Sequence, residues 1–217
     1  MDHKEFIEKI KEVRKNSSKR SFTQTFDLSL NIKGIDLKKP VNQIDIPLFL
    51  PYPKGKKLKI CAFVDKFLVT KAKEVCDYVI QDSEFEQYMN NKIKQRKLAK
   101  KYDVFIAQAN LMPDIAKVFG RVLGPRGKMP NPKAGQIIPP KGDIKEIVNK
   151  QNYFVHLKTK TQPVIHVPVG NEKMKDEEIA KNIERVIDVL SEKLPQGVKN
   201  IKSAYLKLTM GKSVKLW

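Results

Sequence analysis

Few side chains in this 217-residue chain have the types and spacing of a catalyst. The three histidines, His3, His156 and His166, do not fall at metal-ligand intervals, and two of them lie in strand-like segments. No serine stands in a nucleophile elbow, and no carboxylate pair separates itself from the general charge. Cys61 lies in an apolar run and Cys76 closes a helical pattern, so both read as buried, reduced thiols, which fits a cytosolic compartment. No catalytic residue, metal site or cofactor is therefore expected. The one segment that imitates a chemical motif is Gly124-Pro125-Arg126-Gly127-Lys128-Met129-Pro130-Asn131-Pro132-Lys133-Ala134-Gly135. Two glycines ahead of a lysine resemble a nucleotide cradle. A P-loop, however, needs four residues between its glycines, a Ser or Thr after the lysine, and a strand before it. Here Met129-Pro130 follow the lysine and a helical pattern precedes the loop. A basic loop touching a nucleic-acid backbone and a stiff structural loop both fit. A nucleotide-binding enzyme using this loop is the alternative from another functional class.

A second segment stands out for its side chains. Ser203 to Gly211 reads as a strand through Tyr205, Leu206 and Leu208, then ends in Thr209-Met210-Gly211: a hydroxyl, a soft apolar side chain and no side chain at all. That is an odd exposed tip for a chain this basic. Core is the alternative reading for Met210. Phe22, on the first strand pattern, shares the parity of Phe26 and Leu28, which favours core for it as well.

Composition supplies the partner class. Lys and Arg number 43 against 24 Asp and Glu, a net charge of +19. An excess of this size points to a polyanion, most often nucleic acid. A lysine-rich proteome is the bland alternative, since Lys outnumbers Arg. Membrane association ranks last. No helical pattern has the broad apolar and continuous basic faces of a surface-lying helix, and no apolar stretch reaches the roughly 20 residues of a span. The start of the chain does not read as a signal peptide. With 41% hydrophobic residues the chain can bury a core.

The elements that position these residues follow from periodicity. A helix is expected over Lys4 to Lys15, with Phe6, Ile7, Ile10 and Val13 on one face. Ser21 to Ile32 alternates strictly, Phe22, Gln24, Phe26, Leu28, Leu30 and Ile32 against Thr23, Thr25, Asp27, Ser29 and Asn31, which predicts a half-buried strand. Gln43 to Leu50 predicts another. After the breaker-rich Pro51 to Lys57 the pattern changes: Ile60 to Val64 is continuously apolar, as in a strand covered on both faces. Helix at Val69 to Val75, strand at Tyr78 to Ile80, a long polar helix over Glu84 to Lys101, strand at Val104 to Ala107 and helix at Asp114 to Leu123 complete a βαβαβα run, implying a parallel three-layer unit. Beyond the Gly-rich loop a helix is expected at Asp143 to Lys150, strands at Tyr153 to Leu157 and Val164 to Val169, and a helix at Asp176 to Leu194 with Ile179, Ile183, Val186 and Leu190 inward. The last strand follows Pro195-Gln196-Gly197.

The expected fold class is thus an α+β terminal domain, split in sequence and built on an antiparallel sheet with helices, plus an inserted α/β, Rossmann-like three-layer domain. The boundaries are 1–57 and 139–217 for the first and 58–138 for the second. Two chain crossings, near Pro53 to Leu58 and near Ile137 to Lys141, would form a hinge that permits rigid-body motion.

Taken together, four separated segments carry a resemblance. Leu123 to Lys133 is similar to the inserted-domain signature of the large-subunit ribosomal proteins at the base of the L-one stalk. Ser203-Ala204-Tyr205 with Leu208-Thr209-Met210-Gly211 resembles that family's C-terminal signature. Ser21-Phe22-Thr23-Gln24-Thr25 and His166 to Met174 also match. The resemblance spans essentially the whole chain and favours the archaeal branch. It implies a non-enzymatic protein of the cytoplasmic ribosome, monomeric off it. Such a protein binds large-subunit ribosomal RNA through the terminal domain, forms a stalk that helps deacylated tRNA leave the exit site, and represses its own messenger RNA by binding the leader. Carried over by motif, the RNA-contacting residues are Phe22, Thr25, Ser203, Thr209, Met210 and Gly211. Ser21 stands where many bacterial relatives have Lys, and the neighbouring Arg20 supplies the cation instead. Thr161-Gln162-Pro163 lacks the acidic residue common at its start, and no RNA contact is assigned to it. A strand edge carrying the Ser203 and Thr209 hydroxyls and the Gly211 backbone suits ribose hydroxyls and base edges, with Met210 excluding water over them.

Overall fold

The computed structural model describes residues 3–35, 37, 43–89, 91–139, 142–159 and 161–217. The chain is mixed α/β with one antiparallel and one parallel four-stranded sheet, and its contacts cluster into two compact units, Met1–Lys56 with Tyr153–Trp217, and Lys57–Asn152.

In the first unit, α1 (His3–Lys15) buries Phe6, Ile10 and Val13. The antiparallel sheet has the order β10-β9-β1-β8, from β1 (Thr25–Ile32), β8 (Val164–Asn171), β9 (Ile201–Leu208) and β10 (Val214–Lys215). Burial alternates along β1, so that Phe26, Leu28, Leu30 and Ile32 enter the core while Thr25, Asp27, Ser29 and Asn31 face away. The core side is filled by α1 and by α7 (Asp176–Lys193), whose Ile179, Ile183, Val186 and Leu190 are fully buried. A two-stranded ribbon of β2 (Asp45–Phe49) and β7 (Phe154–Lys158) closes the same core with Leu48, Val155 and Leu157. Arg14 ties α1 to the approach of α7: its guanidinium donates to Asp176 Oδ1 at 2.7 Å and to the carbonyls of Glu172 and Met174.

In the second unit the parallel sheet has the order β4-β3-β5-β6, from β3 (Ile60–Val64), β4 (Tyr78–Gln81), β5 (Val104–Gln108) and β6 (Ile137–Ile138). All five residues of β3 are buried. Cys61 and Phe63 point into one cluster with Phe105, Ile115 and Phe119. Ile60, Ala62 and Val64 point into another with Ala72, Ile106 and Ile144. The first cluster is covered by α3 (Phe85–Met89), α4 (Lys92–Lys101) and α5 (Met112–Leu123), the second by α2 (Val69–Val75) and α6 (Ile144–Gln151). Helices on both faces explain why β3 is continuously apolar.

Five expectations differ from this architecture. The long polar helix is broken into α3 and α4, because the Asn91 side chain accepts from the Lys94 N–H at 3.0 Å and caps a new helix start; Asn90 lies outside the described residues. The pair Ile137–Ile138 forms β6 rather than a crossing, being too short to show periodicity; Pro140 and Lys141, at the expected crossing, lie outside the described residues. The unit boundary falls at Asn152–Tyr153 rather than at 138/139, since Ile144 of α6 packs with β3. The first strand starts at Thr25 rather than Ser21. Finally, β9 ends at Leu208 and is not the last strand: β10 pairs with it at Val214–Leu206 and Lys215–Tyr205.

Candidate nucleic-acid interface

The outer face of the antiparallel sheet, opposite the helices, is set by strand parity. On β1 it carries Thr25, Asp27, Ser29 and Asn31, none of them fully buried; on β9 it carries Ser203, Tyr205 and Lys207. The register pairs Asp27 with Lys207, Ser29 with Tyr205 and Asn31 with Ser203. On the other side β8 sets His166 opposite Ser29, with His166 Nδ1 and Ser29 Oγ 2.8 Å apart. The Ser203 hydroxyl accepts from Asn31 Nδ2 at 2.8 Å. Its own proton stays available to an acceptor above the sheet. Burial raises the pKa of Asp27, opposed by the charges of Lys207 and His166.

At one end of this face, beyond β9, the chain turns through Thr209 and Met210. The Thr209 hydroxyl accepts from the Thr25 N–H at 3.1 Å and reaches the Thr25 carbonyl at 3.4 Å, and the Thr209 N–H donates to the same carbonyl at 3.1 Å. With one lone pair left, that hydroxyl can accept a further hydrogen bond. The Met210 N–H donates to Gln24 Oε1 at 3.1 Å, while Gln24 Nε2 donates to Ser17 Oγ and to the Ser18 carbonyl. Gln24 is 1% exposed. It is a buried strut between the tip and the chain leaving α1, a role its type and parity did not announce. The Gly211 N–H donates to the Leu208 carbonyl at 2.9 Å, and a Cβ on Gly211 would meet Ser17 Oγ at 3.2 Å and Leu208 Cβ at 3.3 Å.

Against this backbone frame the large side chains are left out in solvent. Met210 is 58% and Phe22 48% exposed, so the parity argument for a core Phe22 fails: residues 21–24 lie outside the strand, and the alternation of burial runs back only as far as Gln24. Arg20 is also exposed. The structure brings Thr25, Thr209, Met210 and Gly211 together through direct bonds or chain continuity, and Gln24 joins them to the segment that carries Arg20 and Phe22. Ser203 is not part of that cluster. It lies six residues back along β9, roughly 20 Å at about 3.3 Å per residue. Nor is β9 an edge: β1 lies on one side and β10 on the other. The residues expected to share a strand edge instead share a sheet face. The residues between them, Asp27, Ser29, Tyr205, Lys207 and His166, join the candidate surface; their signal was the alternation that puts them on the parity of Thr25 and Ser203.

The Gly-rich loop has another role. Lys128 Nζ donates to the carbonyls of Ala99 at 2.9 Å and Tyr102 at 2.6 Å, at the C-terminal end of α4. Gly127 takes φ of +65° and Gly135 φ of +63°, the left-handed region that glycine enters without strain. Asn131 caps the short turn Pro132–Ala134. The loop follows a helix and directs its lysine into the protein, which is the stiff structural reading rather than a phosphate cradle. Among the described residues, no three His, Cys, Asp or Glu side chains stand together as a metal-binding group, and no helix is long and apolar enough to cross a membrane.

Residues 13–212 match the Ribosomal protein L1p/L10e family. The chain belongs to this family. It is 43% identical over 216 residues to the large ribosomal subunit protein uL1 of Methanocaldococcus jannaschii, covering 100% of this chain and 96% of that one. It is 42% identical over 216 residues to the Pyrococcus abyssi protein of the same name, covering 99% and 96%. The Archaeoglobus fulgidus relative is 37% identical over 217 residues, covering 100% and 99%. The family resemblance of the four segments, archaeal branch included, is therefore correct. The relatives are named as large ribosomal subunit proteins, and none of these names is that of an enzyme. The match takes in the tip, the sheet face and the Gly-rich loop alike.

Proposed function

We propose that this chain is a structural protein of the large ribosomal subunit that binds large-subunit ribosomal RNA with its terminal unit. The carrying observation is the tip: a backbone frame locked by Thr25, Thr209 and Gln24 that leaves Met210 and Phe22 exposed together with spare hydrogen-bonding capacity. Phe22 and Met210 are large apolar side chains left in solvent beside that frame, and bound RNA would cover them. RNA contacts are assigned to Arg20, Phe22, Thr25, Ser203, Thr209, Met210 and Gly211. The wide minor groove of A-form RNA presents ribose hydroxyls that the Ser203 proton and the free lone pair of Thr209 can engage, while Met210 shields those bonds from water.

In this reading the unit Lys57–Asn152 is an inserted α/β, Rossmann-like domain carried on the RNA-bound α+β domain. The further roles follow from the family resemblance: assisting release of deacylated tRNA at the exit site, repression by binding its own messenger RNA leader, a monomeric state off the ribosome, and a cytoplasmic location. The geometry of Lys128 gives the nucleotide-enzyme alternative no support.

A competition binding assay tests the reading, with the full chain, stalk RNA from the large subunit, the protein's own leader RNA and an unrelated RNA of equal length. Stalk and leader RNA are expected to displace each other and the unrelated RNA to displace neither. Equal competition by all three would reduce the protein to a general RNA binder.

A further inference from the structure

We propose that the unit Lys57–Asn152 carries a second RNA-backbone site, in the cleft between α4 and α5. The cleft has a volume of about 500 Å³. Its walls carry Lys92 and Arg96 from α4, Lys117 and Arg121 from α5, and Arg126 from the loop that follows; among the described residues no carboxylate lines it. Each helix contributes its pair at i and i+4, so the two cations of a pair stand on one face about 6 Å apart. Two such rows facing one cleft form a ladder of positive charge.

The cleft is held in shape by its own floor. Gln95, 3% exposed, donates from Nε2 to the Val118 carbonyl at 3.0 Å and to the Tyr88 carbonyl at 2.7 Å, which pins α4 to α5 and α3. The Arg126 guanidinium reaches the Arg96 carbonyl at 3.4 Å. Among the described residues Lys117 pairs with Asp114, a 3.4 Å contact between exposed groups one helical turn apart. That pair is too exposed to neutralise the cleft. Met89, 56% exposed, borders it with a flexible apolar side chain.

An occupant must be anionic and repeating. Three of the five cations are arginines, whose planar fork takes phosphate oxygens in pairs, and a phosphodiester backbone supplies those oxygens at regular spacing. Single-stranded RNA also offers bases to an apolar wall such as Met89. The site deepens the proposed RNA-binding role but uses none of the residues assigned to the tip, so the two can fail separately.

The test uses the full chain and a short mixed-sequence single-stranded RNA, with affinity measured against salt. Arg96→Ala combined with Arg121→Ala removes two exposed cations from the cleft, and is expected to lower the slope of log affinity against log salt by about 1.4, at about 0.7 per phosphate contact. Lys97→Ala with Lys100→Ala removes the same charge from α4 outside the cleft and is expected to leave the slope nearly unchanged. An unchanged slope in the cleft variant, or an equal drop in both, overturns the site. So does polyglutamate binding the cleft as tightly as RNA, which would mark it as a seat for an acidic protein. Binding of stalk RNA is followed in parallel. The cleft variant should leave it intact, and a wild-type chain that fails to bind stalk RNA would sink the proposed function while the slope still judges the cleft.

Discussion

The hydroxyl of Thr209 sits between both backbone polar groups of Thr25, 3.1 Å from the nitrogen and 3.4 Å from the oxygen. It continues the β1–β9 ladder one step past the point where regular pairing stops. Thr209 is therefore a frame residue, and the proposed RNA contact would be its second role. Thr209→Val keeps the shape and removes the hydroxyl. It is expected to lower stability by about 1 kcal/mol, the net worth of a hydrogen bond, and also to weaken stalk RNA binding. Thr209→Ser keeps the hydroxyl and should stay close to wild type on both counts. Urea denaturation and filter binding on the same preparations check the pair.

Gly211 packs against Ser17 and Leu208 with no room for a methyl group at ordinary contact distance. Gly211→Ala should cost about 1 kcal/mol of stability, at the low end for overpacking. Ser17→Gly in the same chain removes the atoms that the methyl meets and should recover part of the loss. A double-mutant cycle by chemical denaturation measures the coupling; additive losses would show that the crowding is not with Ser17.

Asp27 contributes a pH dependence whose sign is fixed. Burial raises its pKa above the ordinary carboxylate value, with Lys207 and His166 opposing. The native state therefore holds the proton more tightly than the unfolded chain does. The penalty of burying the charge is full above the raised value and is relieved as the pH falls through it. Asp27→Asn should stabilise the protein near neutrality and flatten the mildly acidic arm of its stability profile. It should also tighten RNA binding, because an anion leaves the sheet face. A denaturation series across that pH range reads the first effect; a steeper acidic arm in the variant would contradict it.

The thiols give an independent check on the middle unit. Burial pushes Cys61 far above the usual thiol range, reinforced by Cys76, and burial with the nearby Asp77 charge pushes Cys76 up to about 11. Since the thiolate is the reactive form, both cysteines should resist iodoacetamide at neutral pH until denaturant is added. Fast labelling of native protein would show that β3 and the C-terminal end of α2 open locally.

How much of this was legible in the residues depended on the length of each pattern. The alternation of Thr25 to Ile32 and the helical stripe of Ile179, Ile183, Val186 and Leu190 report burial directly, because one face of each element meets the core. The run Ile60 to Val64 likewise reported burial on both faces. Two-residue strands such as Ile137–Ile138 and Val214–Lys215 have no period to read. The parity that favoured core for Phe22 was carried past the true start of the strand, whereas the resemblance placed Phe22 among the RNA contacts. The tip residues were singled out as RNA contacts by resemblance alone, which said nothing of their arrangement. Only the folded chain shows Gln24 bracing Met210, and Ser203 standing a strand length away on the same face.

The most direct test of the account is the affinity of Met210→Asp for stalk RNA, measured beside an unrelated RNA at one salt concentration. Met210 is 58% exposed, so the substitution should leave the folding stability within the range of ordinary surface changes, about 0.5 kcal/mol. Stalk RNA binding is expected to fall at least tenfold, ~1.4 kcal/mol, with much less change for the unrelated RNA. Unchanged affinity for stalk RNA in a folded Met210→Asp protein would contradict the assignment of the tip as the address for RNA.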